Sequence, residues 1–160
     1  LGGIDHNFSR TLLGTFRGGV DFRDEDSAGS QSRPHFEVGL RRRLAENTQL
    51  HWMNRVGLED SDLGTFESRY SYRSVLSVSH AISSRLRVSG GLSYIYSSYE
   101  DSPITDDTTE DLVSANVGLG YRLFSNVDLT ADYTFTGVYS DEEFREYDRH
   151  RVSLGLSTTF

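Results

Sequence analysis

Apolar and polar side chains alternate with a period of two in eight successive runs of this 160-residue chain. That period puts neighbouring side chains on opposite faces of an extended strand, so each run predicts an amphipathic β-strand. The expected strands are Phe8–Arg23, His35–Leu44, Gln49–Glu59, Phe66–His80, Arg85–Tyr99, Glu110–Leu123, Val127–Tyr139 and Arg149–Phe160. In the fifth, Leu86, Val88, Leu92, Tyr94 and Tyr96 stand against Arg85, Arg87, Ser89, Gly91, Ser93 and Ser97. In the last, Val152, Leu154, Leu156 and Phe160 stand against Arg149, Arg151, Ser153, Gly155, Ser157 and Thr159. An ordinary strand has about five or six residues, whereas crossing a bilayer takes roughly 9 to 11, which these runs reach.

The connections alternate in length. Ala45–Thr48, Ala81–Ser84 and Phe124–Asn126 read as tight turns, while Asp24–Pro34, Asp60–Thr65, Glu100–Thr109 and Ser140–Asp148 read as longer polar loops. Short turns at one end and long loops at the other are the outer-membrane arrangement. The expected fold is therefore all-β: one domain over residues 1–160, a transmembrane antiparallel up-and-down barrel of eight strands with both termini at the short-turn end.

Alternation alone does not say which face points inward. A soluble barrel would bury its apolar face; a membrane barrel would turn it to lipid. Three features favour lipid. Aromatic residues gather toward strand ends, with Phe22, Phe36, Tyr70, Tyr94, Tyr96, Phe135 and Tyr139 near the loops and Phe8, Tyr121 and Phe160 near the turns, as interfacial girdles do. The polar face is Ser, Gly, Thr and Arg, and all 16 basic residues are Arg, the side chain suited to planar pairing in confined places. Finally, a closed barrel is the β-structure that lipid tolerates. The mean hydropathy of -0.50 does not oppose this, because only alternate residues face lipid. Arg10, Arg42, His80 and His150 fall on the nominal lipid face near strand ends, where long side chains can snorkel.

The inward register carries Arg17, Arg23, Arg41, Arg43, Arg55, Arg69, Arg73, Arg85, Arg87, Arg122, Arg149 and Arg151, with the acids Asp21, Glu37, Glu59, Glu67, Asp128 and Asp132. Two readings follow. These charges form a salt-bridge network that fills a narrow lumen, or the surplus Arg lines an anion-favouring pore, which requires a barrel wider than eight strands. Further acids crowd the loops, among them Asp24, Glu25, Asp26, Asp60, Asp62, Glu100, Asp101, Asp106, Asp107, Asp141, Glu142 and Glu143. They read as a solvated rim; Asp24-Glu25-Asp26 lacks the ligand spacing of a calcium loop, so no metal or cofactor is expected. A net charge of -8 disfavours nucleic acid as a partner, and none is expected. No catalytic motif surrounds His6, His35, His51, His80 or His150. Ser79 and His80 point to opposite faces, and His150 with Asp148 reads as a rim ion pair. The chain is not expected to be an enzyme. It has no cysteine, hence neither disulfides nor thiolate metal sites.

The closing segment Tyr147–Phe160 resembles the last strand of bacterial outer-membrane proteins, with Phe160, Leu156, Leu154 and Val152 at alternate positions and Thr158 a departure from the pattern. The chain is similar in style to the β-barrel porins of the BBP2 type, specifically at this strand and diffusely over the others. The resemblance implies residence in the outer membrane of a Gram-negative bacterium and recognition of that strand by the barrel assembly machinery. It also implies contact with outer-membrane lipid and lipopolysaccharide, and porin-type transport by diffusion. Members of that family are larger, so the chain also fits as the C-terminal half of a larger barrel. The alternative function is a plugged structural or adhesive barrel whose acidic loops meet ions, glycans or partners.

Overall fold

The computed structural model describes residues 1–25, 29–60, 68–99, 108–141 and 143–158. Among the described residues nine antiparallel strands form one sheet whose spatial order is the order in sequence. They are β1 (Gly2–Ser9), β2 (Leu12–Glu25), β3 (Gly29–Ala45), β4 (Thr48–Asp60), β5 (Ser68–Ala81), β6 (Leu86–Tyr99), β7 (Thr108–Phe124), β8 (Val127–Ser140) and β9 (Tyr147–Thr158). A 3₁₀ turn, Glu143–Arg145, lies between β8 and β9. Among the described residues no helix is long and apolar enough to cross a membrane.

The all-β up-and-down topology matches the expectation, but among the described residues the strand count is nine, not eight, and the sheet is open. β1 pairs only with β2, and β9 only with β8, among the described residues. The run Phe8–Arg23 proves to be two elements. The register shifts between Asn7 and Ser9, and the chain reverses at Arg10-Thr11, where the Ser9 hydroxyl accepts from the Thr11 amide at 3.2 Å. Six residues upstream of Phe8, Gly2 to Asn7, contribute to β1, which pairs Gly2 with Gly18 and Ile4 with Phe16. Because nine is odd, β1 and β9 run in the same direction. The N-terminus therefore does not join the C-terminus at the short-turn end, contrary to the expectation from an even count.

The expected loop Asp24–Pro34 is largely strand: β2 continues to Glu25 and β3 begins at Gly29, with Val20 opposite Pro34. Pro34 leaves its mark instead on the other side. The β3–β4 ladder runs from Phe36 opposite Val56 toward the turn and is not continued to Pro34, which has no amide hydrogen to give. Short connections stitch the opposite end: the Arg43 amide donates to the Thr11 carbonyl at 2.8 Å, Ala81 to Asn47 at 2.9 Å, and Arg122 to Arg85 at 2.8 Å.

Registers preserve side-chain parity across all nine strands. One row reads Arg17, Glu37, Arg55, Arg73, Ile95, Leu112, Val138, Tyr147. A row three residues away, on the other face, reads Gly14, Leu40, Trp52, Leu76, Leu92, Ala115, Phe135, His150. The burial of these faces is the reverse of that in a water-soluble protein. His35, Ser71, Ser97, Glu110 and Thr136 are buried, all on the polar face, while Leu92 is 57% and Leu154 82% exposed on the apolar one. Large contiguous apolar surfaces are rare on soluble monomers. The polar face is the concave one, since residues of β3 and β7 line a single trough on it. Phe36, Tyr72, Tyr96 and Tyr139 stand on the apolar face toward the loop end, Tyr121 and Phe124 toward the turn end.

Candidate functional site

The concave face holds two chemically different zones. Toward the loops its arginines are paired. Glu37 on β3 takes Arg17 from β2 at 3.5 Å and lies 3.9 Å from Arg55 on β4. Glu59 on β4 takes both Arg69 at 3.3 Å and Arg73 at 3.1 Å from β5. Arg55 and Arg73 stand directly opposite each other, a like-charge pair that the two glutamates on either side compensate. The Nε atoms of both are buried without a hydrogen-bond partner.

A second cluster follows from Pro34. His35 is 2% exposed, with Nδ1 2.8 Å from Asp21 and Nε2 3.3 Å from Glu37. The Asp21 carboxylate also accepts from the Leu58 amide at 3.2 Å, at a residue that the β3–β4 ladder leaves without a partner on β3. On the other face the Tyr70 hydroxyl donates to the Pro34 carbonyl at 3.4 Å. Gly57 gives the cluster its room: a Cβ there would lie 2.7 Å from His35 Nδ1 and 2.9 Å from the Asp21 carboxylate. The two carboxylates hold opposite edges of the imidazole, so the group does not converge on a point where a metal could sit. Among the described residues no set of three or more His, Cys, Asp or Glu side chains is arranged to hold a metal ion.

The β8–β9 connection folds onto this same face. Arg145 donates to Glu110 through Nε at 2.9 Å and Nη2 at 2.6 Å, and its guanidinium lies 5.9 Å from the centre of the Tyr99 ring. Tyr99 is 0% exposed and Val138 4%. Arg69 reaches the Tyr99 hydroxyl at 3.3 Å, so the chain of contacts runs from Glu110 through Arg145, Tyr99 and Arg69 to Glu59 and Arg73. At the base of the connection Asp141 accepts from the Thr109 amide at 3.0 Å and hydroxyl at 2.6 Å, which hold its carboxyl below its ordinary pKa.

Toward the turns the concave face is sparsely paired. Arg122 meets Asp128 at 3.3 Å. Arg41, Arg43, Arg85, Arg87 and Arg151 make no ion pair among the described residues. At the loop end of β9, Arg149 lies over the Tyr147 ring at 5.9 Å. Gly118 lets Asp132 of β8 and Ser89 of β6 approach across β7.

The registers thus place on one face the positions of Arg17, Asp21, Arg23, Glu37, Arg41, Arg43, Arg55, Glu59, Arg69, Arg73, Arg87, Arg122, Asp128, Asp132, Arg149 and Arg151, with Arg85 at the turn leading into β6. Glu67 lies outside the described residues, as does Phe160; Val152, Leu154 and Leu156 share the apolar face of β9. Arg42 stands on the apolar face between Leu12 and Leu50, whereas Arg10 sits in the first turn. His80 and His150 are on the apolar face, where His80 meets the Thr48 hydroxyl at 2.8 Å and His150 the Tyr133 hydroxyl at 2.8 Å. Sequence reasoning did not single out Arg145, Glu110 or Tyr99. Glu110 and Tyr99 share the parity of the inward residues and were open to the same reading, whereas Arg145 lies in a loop with no periodicity to place it.

A family model described as Putative beta-barrel porin 2 matches residues 58–160, from the end of β4 through β9. No curated protein matches the chain.

Proposed function

The chain belongs to that β-barrel porin family, and on this premise we propose that it forms a porin-type channel, or part of one, in the outer membrane of a Gram-negative bacterium. The observation that carries the reading is the reversed polarity of the sheet: exposed leucines and tyrosines on one face, buried charges and hydroxyls on the other. Water on the concave side and hydrocarbon on the convex side satisfy both faces at once. The arginine-rich concave face is then the wall of the conduit and favours anions. Its partners are outer-membrane lipid and lipopolysaccharide, with the barrel assembly machinery reading the terminal strand at Val152, Leu154, Leu156 and Phe160. No chemical conversion of the solute is involved.

The open edges bear on the size of that conduit. Joining β9 directly to β1 would make a parallel pair, since the two strands run alike. An antiparallel closure takes an odd number of further strands, which supports a barrel wider than eight strands and a lumen too wide for side chains alone to fill.

A second reading, a plugged structural or adhesive barrel, draws on the paired network from Glu110 to Arg73, which spans the loop end of the concave face. Conductance across a planar bilayer separates the two. The channel reading expects steady current with a reversal potential that favours anions. Silent membranes that nonetheless contain correctly folded protein would leave the plugged barrel standing.

A further inference from the structure

Arginines on the concave face differ in company. Five toward the loops have a carboxylate within ion-pair distance: Arg17, Arg55, Arg69, Arg73 and Arg145. The arginines at the first two turns have none. Arg10, Arg41 and Arg43 make no ion pair among the described residues, and with Asn7, Thr11 and Gln49 they line a trough of about 260 Å³ that no acid enters. Arg41 and Arg43 are two residues apart on the same face, hence about 7 Å apart along β3, and Arg10 projects from the neighbouring turn. Three cations held this close repel one another unless an anion lies between them.

We propose that this trough is a binding site for the phosphate group of a small phosphorylated molecule. Three guanidinium groups from two elements supply more donors than a carboxylate has oxygens to accept. A phosphate, with three terminal oxygens and up to two charges, satisfies all three. The site does not end there. Arg41 and Gln49 also line a second open trough of about 350 Å³ that continues across the sheet past His51, Ser77, Ser79 and Asn116, again without an acid. Hydroxyl and amide groups along that path suit the hydroxyls of a sugar. The class of ligand is therefore a sugar phosphate, with its phosphate at Arg41 and Arg43 and its ring directed toward β5–β7. The site depends on the channel reading only for the route by which such a ligand arrives.

The test is calorimetric titration of the full chain, folded in detergent, with glucose 6-phosphate, inorganic phosphate and glucose. Glucose 6-phosphate is expected to bind at least about ten-fold more tightly than glucose, with inorganic phosphate between them. The double variant Arg41→Gln, Arg43→Gln should lose that advantage, while Arg149→Gln, which alters a concave-face arginine outside the trough, should keep it. A readout on the unmodified protein covers a folding failure of the double variant: phosphate should protect Arg41 and Arg43 from phenylglyoxal, and leave Arg149 reactive. Equal affinity for glucose and glucose 6-phosphate, or no protection, overturns the site. Binding and protection in a protein that carries no current would instead overturn the channel and leave the site in place.

Discussion

Replacing Leu92 with arginine separates hydrocarbon from water at the middle of the sheet. Leu92 is the central residue of β6, paired with Leu76 on one side and Ala115 on the other. More than half of its surface, 57%, touches no protein. Its replacement therefore leaves little packing to lose, and the outcome depends on the medium outside. In water an exposed substitution of this kind stays within about 0.5 kcal/mol. At the midplane of a bilayer an outward-facing arginine on a barrel costs about 2–4 kcal/mol. The only tryptophan, Trp52, stands two strands away in the same row and reports folding without added labels. Urea unfolding from lipid vesicles, followed by Trp52 emission, should show Leu92→Arg destabilised by the larger amount. Ser93→Arg, one residue along and facing the concave side, should cost markedly less. A loss below about 0.5 kcal/mol for Leu92→Arg, or equal losses for both variants, would refute the reasoning.

Two further outcomes follow from the concave face. Asp21→Ala removes the acceptor shared by His35 and the Leu58 amide and should cost about 3 kcal/mol in the same unfolding assay, with Asp21→Asn costing less because an acceptor oxygen remains. The Asp141 carboxyl is lowered because Thr109 hydrogen-bonds its charged form. Stabilisation of the β8–β9 connection is accordingly full above the ordinary aspartate range and is lost as pH falls through the depressed value. The protection factor of the Thr109 amide, its exchange relative to the intrinsic rate at each pH, should fall over that acidic window, and Asp141→Asn should abolish that fall; an unchanged profile in the variant would contradict it.

Strand positions and faces were legible because a period of two is a local property, and local backbone geometry imposes it on every strand alike. The hairpin at Ser9–Thr11 was not, because polar and apolar residues continue to alternate through the tight turn and a register shift at Asn7 hides the reversal. Gly2 and Gly3 add no side-chain signal upstream. Whether the sheet closes is not legible either, since pairing between the first and last strands leaves no pattern within either one. The concave-face charges were identified as a set, but their partners depend on interstrand register. Asp21 meets the Leu58 amide beyond the point where the ladder between β3 and β4 ends. Arg145 is placed by the fold of a loop, not by periodicity.

The face assignment can be measured directly, because the chain contains no cysteine and each introduced thiol reports alone. Single cysteines at Leu76, Leu92 and Val117 on the convex face, and at Ser77, Ser93 and Asn116 on the concave face, can be challenged with a membrane-impermeant maleimide in reconstituted vesicles. The account predicts rapid labelling of the second set and protection of the first, switching with every residue along β5, β6 and β7. Labelling of the leucine and valine positions as fast as their serine and asparagine neighbours would contradict it.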